Sequence, residues 1–512
     1  MLQRRYLLSP RSRLLAAGGT CRLDCTHPLQ SIALNESAWR LLHALADGEP
    51  LHRAATGVSA ETVRFLEQLV LRGALRADYR LVPAARPPLL EVVIPAYGAR
   101  AGPGSGTAPA LARCLDALAG QHHPPERLCV TVVDDASPEP LERATAVPRG
   151  LALRWLRLPR NVGPASARNA GVRTPWAEAN GADGAPPAPL LAFVDADCVP
   201  APGWLAALAA LLEDATLDAA GGAVRGWSRA GLLARYEDAC SSLYLGPAAG
   251  PVGLPGGALA YLPSCNLAVR REAFLAVGGF REGWRFGEDV DLCWRLHAAG
   301  RDLFYHPDAA VAHDHRTRWG PFLQRRRAYA HSEAALRQAH PERFAPLWRP
   351  GPAGVTLGAA LGLWSGSTAG TAAGGALAAA CALAMALRPA WEQWRHGARG
   401  AFPPGTIALA GARRAAAQTL HQARRLTRQA AVALPVAVLL APALWPLAGA
   451  IAGLGAWAEW LARRPAVGPG TFLAGYGAEC LAYSLGRLEG ALALGWRRLR
   501  GRLAPADPAD PP

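Results

Sequence analysis

Lysine is missing from this chain. Every one of the 54 residues in the Lys/Arg class is arginine, against 39 acidic residues, for a formal net charge of +15. With 54 Gly, 44 Pro and abundant Ala, the arginine bias reads as the signature of a GC-rich genome, so it is weak evidence for nucleic acid. A basic surface still suits phosphate-bearing ligands or anionic lipid. Paired CxxC spacing is missing too. Ten cysteines are scattered from Cys21 to Cys480, and only Cys21 and Cys25 lie close together. No second pair completes a zinc site, so reduced, buried thiols in a cytosolic compartment are expected. No long apolar run follows the N-terminal arginines, so no signal peptide is expected.

What is present is length and apolarity. A chain of 512 residues can hold two or three domains and a full-sized core. Hydrophobic residues make up 51% and the mean hydropathy is +0.08, high for a purely soluble enzyme. The excess is Ala and Leu concentrated after residue 350, so it belongs to one region.

Composition divides the chain into residues 1–86, 87–345, 346–502 and a tail, 503–512, expected to be disordered. The first region ends in the stiff linker Pro83–Pro88. Within it, Asn35 should cap one helix, and Ser59 with Glu61 should start another that places Val63, Leu66, Val70 and Leu71 on one face. With short flanking strands, this is a small winged-helix-like α+β module. Residues 87–345 alternate apolar strands with helical stretches, and strands that are apolar throughout argue for an α/β domain whose mostly parallel sheet is covered on both faces. Two Gly/Ala/Pro-rich inserts, Ala99–Pro109 and Glu178–Pro189, read as loops.

The third region is Ala/Gly-rich and helical. Gly354–Leu387 carries no charge and exceeds the roughly 20 apolar residues that cross a bilayer; Ala430–Ala458 is a second candidate, interrupted by Pro435, Pro442 and Pro446. Between them lie Arg413, Arg414, Arg424, Arg425 and Arg428. A single crossing would put this basic loop outside, against the positive-inside tendency, whereas a hairpin or helices lying in the interface would not. A soluble Ala-rich bundle is the alternative.

The chemistry gathers where apolar strands end, which in an open parallel sheet is where ligands bind. Pro95, Ala96 and Tyr97 end one strand, Asp134 and Asp135 another, and Asp195 and Asp197 a third. One strand-end acid is usually a turn or cap; three clusters at one edge make a site. Asp195 and Asp197 suit a hard divalent cation, Mg2+ or Mn2+, held between carboxylate and phosphate oxygens. Further on, Val290, Cys293, Trp294 and His297 should form the buried face of a helix with Glu288 and Asp289 in its first turn, where acids also complement the helix dipole.

Five stretches in order, "VVIPAYG", "VVDDAS", "NVGPASARNAG", "FVDADC" and "GEDVDLCWRLHAAG", resemble a family 2 glycosyltransferase of the GT-A (Rossmann-like) fold, over residues 89 to about 320. The resemblance implies a nucleotide-sugar donor, a divalent cation and inversion at the anomeric carbon. It implies that Pro95, Ala96 and Tyr97 line the nucleotide, that Asp134 or Asp135 reads the base, and that Arg168 lies along the donor. It further implies Asp195 at the donor sugar or ribose, Asp197 on the metal, and Asp289, beside Glu288, as the general base. His313 either completes the metal shell or is an ordinary core or surface histidine, and Arg316 and Arg318 could meet the diphosphate. Cys265 and Asn266 would border the acceptor, with Trp294 on the same side. The QxxRW motif of processive synthases is absent after the acid pair, which argues against long-chain synthesis with coupled export.

The first 86 residues are similar to PqqD-like domains, which bind leader peptides by adding a strand to an exposed sheet edge. A nucleic-acid-binding winged helix is disfavoured, because "SAETVRFLEQLVLRG" carries no basic recognition face. Together the three regions resemble the mycofactocin-system glycosyltransferases. That resemblance implies UDP-glucose as donor, a peptide-derived redox cofactor precursor as acceptor, a precursor peptide on the N-terminal module, and a catalytic domain at the cytoplasmic face of the membrane. A membrane glycosyltransferase for a lipid-linked or cell-envelope acceptor, and a non-catalytic peptide-binding protein, are the alternatives.

Overall fold

The computed structural model describes residues 1–17, 20–26, 29–46, 59–84, 86–98, 106–174, 187–228, 230–254, 259–344, 368–395, 402–442, 445–463 and 465–503. Most of each expected insert, 99–105 and 175–186, lies outside these, as do 354–367 of the first apolar segment and the tail from 504. Two compact units emerge, one of residues 1–25, 32–229 and 240–315, the other of residues 26–31, 230–239 and 316–512.

In the first unit, strands β1 (Leu2–Leu8) and β5 (Leu75–Leu81) pair antiparallel; β2 (Ser12–Ala17), β3 (Thr20–Thr26) and β4 (Leu29–Leu34) make a separate sheet in that order. Asn35 and Ser59 cap the helices Glu36–Ala46 and Ala60–Leu71, Asn35 Oδ1 accepting from Ala38 N at 2.8 Å and Ser59 Oγ from Thr62 N at 3.1 Å. The buried face of the second helix is Val63, Leu66, Glu67 and Leu69; Val70 and Leu71 are only partly covered. Glu67 can replace an apolar residue there because the Tyr6 and Tyr79 hydroxyls donate to its carboxylate, the first at 2.7 Å.

This module does not stand apart from the α/β domain. Leu2 joins the core beneath the large sheet, and Arg64 Nε meets Asp302 Oδ1 at 2.8 Å and Oδ2 at 3.0 Å.

The large sheet has nine strands: β6 (Leu90–Ala96), β7 (Leu128–Asp134), β8 (Leu153–Arg157), β9 (Leu190–Val194), β10 (Cys198–Pro200), β11 (Ala219–Gly226), β12 (Gly250–Val252), β13 (Asn266–Arg270) and β14 (Leu303–His313). Their order is β10-β14-β11-β13-β9-β6-β7-β8, with β12 beside β14. The half β9-β6-β7-β8 is parallel throughout, as continuous apolar runs require. The other half is mixed, since β13 runs antiparallel to both β9 and β11. From β6 the chain winds first toward β8 and then back to β9 on the other side, so the winding direction reverses between β6 and β9 and leaves a crevice at their carboxyl ends. The helix Pro164–Arg173 can lie close on the sheet because Gly171 carries no Cβ; one there would stand 2.7 Å from Val93 Cγ1.

The second unit is helical. Helices Trp319–Ala339 and Pro469–Leu503 pack closely, a Cβ at Gly486 falling 2.0 Å from the Arg327 carbonyl oxygen. The second expected apolar segment is broken into helices Ala433–Leu440 and Trp445–Arg463, with Pro442 between them, where proline has no N–H to continue a helix. Among the described residues no helix is long and apolar enough to cross a membrane.

Candidate active site

Strands β6, β7 and β9 deliver their ends to one edge of the sheet. Tyr97 leaves β6 with 48% of its surface exposed, a flat aromatic face beside the crevice, while Pro95 and Ala96 are buried in the strand itself. Asp134 and Asp135 are buried and already engaged. Asp134 accepts from Ser137 N at 2.8 Å, Leu141 N at 3.2 Å and Arg157 Nη1 at 2.5 Å. Asp135 accepts from Val162 N at 2.7 Å and Gly163 N at 2.8 Å, pinning the loop that starts the helix Pro164–Arg173. Of the pair, Asp135 keeps the freer carboxylate, with no cation against it among the described residues.

Arg168 is the centre of the arrangement. It is 2% exposed, and one terminal nitrogen donates to Asp195 Oδ1 at 2.5 Å while the other donates to Glu288 Oε1 at 3.0 Å. Its guanidinium stacks over Phe280 at 5.4 Å. Burial by itself lowers the pKa of such a group, but the Asp195 and Glu288 carboxylates more than offset this and raise it. Asn169 fixes Phe280 in turn, accepting from its N–H at 2.9 Å and donating to its carbonyl at 2.7 Å.

Glu288 and Asp289 open the helix Glu288–Ala298 after Gly287, which turns the chain with φ 77°. Asp289 accepts from Ser264 N at 3.2 Å and Val290 N at 2.8 Å and keeps a solvent-accessible side. Desolvation, then the neighbouring Glu288 charge, push its carboxyl up to about 7 against those two hydrogen bonds. A carboxyl tuned there can take a proton at neutral pH. The buried face of this helix is Glu288, Asp291, Leu292, Cys293 and Leu296, so the expected face of Val290, Cys293, Trp294 and His297 is displaced. The displacement is affordable because Arg281 and Arg295 neutralise the fully buried Asp291 at 3.1 and 2.8 Å.

Asp197 sits in the turn between β9 and β10. Its Oδ1 lies 3.6 Å from His313 Nε2, and its backbone oxygen accepts from Asp314 N at 2.9 Å. His313 Nδ1 meets His315 Nδ1 at 3.2 Å. Asp197, Cys198 and His313 offer donor atoms that all lie within 4.8 Å of one another. A carboxylate oxygen beside an imidazole nitrogen suits a divalent cation, Mn2+ better than the oxygen-demanding Mg2+, with phosphate oxygens filling the rest of the shell.

Two acceptor-side expectations do not hold. Asn266 is fully buried, its Oδ1 accepting from Trp204 Nε1 at 2.8 Å and its Nδ2 donating to the Ala309 and Ala223 carbonyls at 2.7 and 3.2 Å, so it fastens the sheet. Cys265 is 3% exposed, with its thiol within hydrogen-bond reach of Cys198. Both belong to β13 and its lead-in, buried on both faces of the sheet and away from an incoming acceptor. Trp294 is partly exposed and donates to the Ala260 carbonyl at 3.1 Å. Arg316 and Arg318 are exposed and fall in the other unit.

Ser264 and Phe280, not singled out from the sequence, prove to hold the acids and Arg168. Both lie in the stretch Ser264–Phe280, but nothing in its spacing distinguishes them from neighbours.

Residues 87–331 match the family described as glycosyltransferase like family 2. Two strains of Mycobacterium tuberculosis have a protein named pre-mycofactocin glycosyltransferase that is 39% identical over 224 residues, 43% of this chain and 44% of the relative. The matched stretch thus spans less than half the length of these curated relatives. Among solved structures, a mannosyltransferase from Pyrobaculum calidifontis with GDP-Man and Mn2+ is 22% identical, covering 66% of this chain and 89% of that one with a TM-score of 0.37. Staphylococcal TarS (S. aureus), residues 1–349, with UDP-GlcNAc is 19% identical over 47% of this chain and 65% of that one, with a TM-score of 0.35. By its motifs, its sheet, and the family and sequence matches, the region 87–331 is similar to family 2 glycosyltransferases of GT-A-like fold and resembles the pre-mycofactocin enzyme.

Proposed function

We propose that the chain transfers a sugar, with inversion, from a nucleotide donor to a peptide-derived redox cofactor precursor of the mycofactocin type. The observation that carries this reading is the Arg168 bridge, which joins the strand-end Asp195 to Glu288 of the acid pair Glu288–Asp289. Tyr97 stacks on the nucleotide, with Asp135 the better placed of the two acids to meet the base. Asp195, oriented by Arg168, meets the donor sugar or ribose. Asp197 and His313 would hold a divalent cation, which when bound neutralises charge on the departing diphosphate. Asp289 takes the proton from the acceptor hydroxyl as that oxygen attacks the anomeric carbon from the side opposite the leaving group. One displacement with no covalent intermediate inverts the configuration. UDP-glucose is the donor we favour, because the motif resemblance to the mycofactocin-system glycosyltransferases implies it.

The N-terminal module, with its small separate sheets, is read as a PqqD-like peptide binder that presents a strand edge. We further propose that the helical unit lies against the cytoplasmic face of a membrane without crossing it. Leu439 and Leu440 are 81% and 83% exposed and Trp445 is 67% exposed, an apolar and aromatic cluster of the kind that settles into the headgroup boundary. This cluster also favours a second reading, in which the acceptor is lipid-linked.

Mass spectrometry of both acceptor classes, incubated with UDP-sugars and Mg2+ or Mn2+, separates the readings. Hexose addition to the peptide-derived molecule, lost in Asp289→Asn with donor binding retained, supports the first. Product only on the lipid-linked acceptor supports the second, and no transfer to either removes both.

A further inference from the structure

We propose that the cation site of the cleft carries a third, sulfur donor, Cys198 Sγ, so that it takes thiophilic divalent cations such as Zn2+ in preference to Mg2+, in competition with the cation used for transfer. This inference rests on the reading of Asp197 and His313 as cation ligands.

The placement of Cys198 follows from the strand ladder. β10 is only three residues long, and Cys198 stands directly opposite His313 in its antiparallel pairing with β14. Residues opposite one another in such a ladder project from the same face, so the thiol and the imidazole emerge together. Asp197 is the next residue along the chain, and its turn is closed by the Asp314 N–H on its own carbonyl and by the Cys198 N–H on the Asp195 carbonyl at 3.0 Å. The carboxylate oxygen, the sulfur and the imidazole nitrogen therefore lie within 4.8 Å of one another without rearrangement of the backbone.

The donor set is selective. Mg2+ demands oxygen ligands in a near-octahedral shell and gains nothing from a thiol. Zn2+ binds sulfur, nitrogen and carboxylate oxygen in tetrahedral sites, and one of each is present here with a fourth position left for water or a substrate oxygen. Cys198 is fully buried, so water does not compete for the sulfur from behind, and the Cys265 thiol holds it in place. On binding, the thiol proton leaves to solvent as the sulfur–metal bond forms, and the carboxylate and thiolate together balance the 2+ charge. Asp197 and His313 serve both kinds of cation, hence the competition.

Co2+ serves as a spectroscopic stand-in for Zn2+, because thiolate ligation gives a near-ultraviolet charge-transfer band that oxygen and nitrogen ligation do not. With the full chain kept reduced, the wild type with Co2+ should show this band, Cys265→Ser should keep it, and Cys198→Ser should lose it while the visible Co2+ transitions persist. Competition with Zn2+ should give a Kd raised by about tenfold or more in Cys198→Ser, with Mn2+ affinity unchanged. Absence of the band in the folded wild type overturns the proposal without recourse to any variant, as does a band that survives Cys198→Ser or disappears only with Cys265→Ser. The outcomes for function are separable. A thiolate band in a protein that moves no sugar sinks the transferase reading and leaves the sulfur-bearing site standing; sugar transfer without the band does the reverse.

Discussion

Arg168 Nη2 lies 2.5 Å from Asp195 Oδ1, and this one contact ties a helix behind the sheet to the acid that ends β9. Because Arg168 is buried, its charge is tolerable only while Asp195 and Glu288 both face it. Truncation by Arg168→Ala strands two carboxylates, one of them buried, and should destabilise the fold by about 3–5 kcal/mol. Urea unfolding checks this. Arg168→Lys keeps the charge but cannot span both partners, so it should fold better than Arg168→Ala and still lose donor affinity.

Asp289 sets a pH limb. Its carboxyl is held near 7, and a base must be deprotonated to work, so kcat/KM should rise with pH through about 7 and then level off. Asp289→Asn should lower kcat by about 100- to 10,000-fold with donor Kd unchanged. Stability carries the opposite sign. A carboxyl raised in the folded state loses stability as pH climbs from its ordinary 3.8 toward 7. Asparagine removes the charge but keeps only one of the two hydrogen bonds, because Ser264 N and Val290 N donate to different carboxylate oxygens and an amide has one acceptor oxygen. Thermal melts should therefore show the difference between Asp289→Asn and the wild type moving in the variant's favour as the pH rises from 4 to 8.

Removal of the cation with EDTA should abolish transfer. In Asp197→Asn the Mn2+ concentration for half-maximal activity should rise by about tenfold or more, read from a Mn2+ titration. A chelator-insensitive enzyme would contradict the role given to Asp197 and His313.

Asn266 was expected beside the acceptor and is instead a fastener between β13, β11 and β14. Asn266→Ala leaves Trp204 Nε1 and two buried carbonyls short of a partner, at about 1–3 kcal/mol for such a group. Chemical denaturation should show that loss, while the acceptor KM of the folded fraction stays at the wild-type value.

The pair Leu439→Ser and Leu440→Ser should release the protein from anionic vesicles in a flotation assay without changing transfer to a water-soluble acceptor. Equal flotation of variant and wild type would place membrane contact elsewhere or nowhere.

The strands that build the site were legible because fully buried parallel strands write themselves as unbroken apolar runs, and the acids that end them stand out against those runs. Capping residues were legible for the same local reason, since Asn35 and Ser59 need only their own next turn. Helix faces were less so. Glu67 and Asp291 look like solvent-facing positions until Tyr6, Tyr79 and Arg281 arrive from elsewhere, and Arg295 from the next turn of the same helix, to satisfy them.

Local sequence, then, determined the alternation of strands and helices, the strand-end acids and the acid pair that opens a helix, because these depend on periodicity and on neighbours within a turn. Tertiary structure alone decided that Asn266 fastens the core, that one buried guanidinium joins Asp195 to Glu288, and that Cys198 faces His313. Those are contacts between residues more than 20 positions apart, and electrostatic and hydrogen-bond partners at that range are chosen by how the sheet is wound.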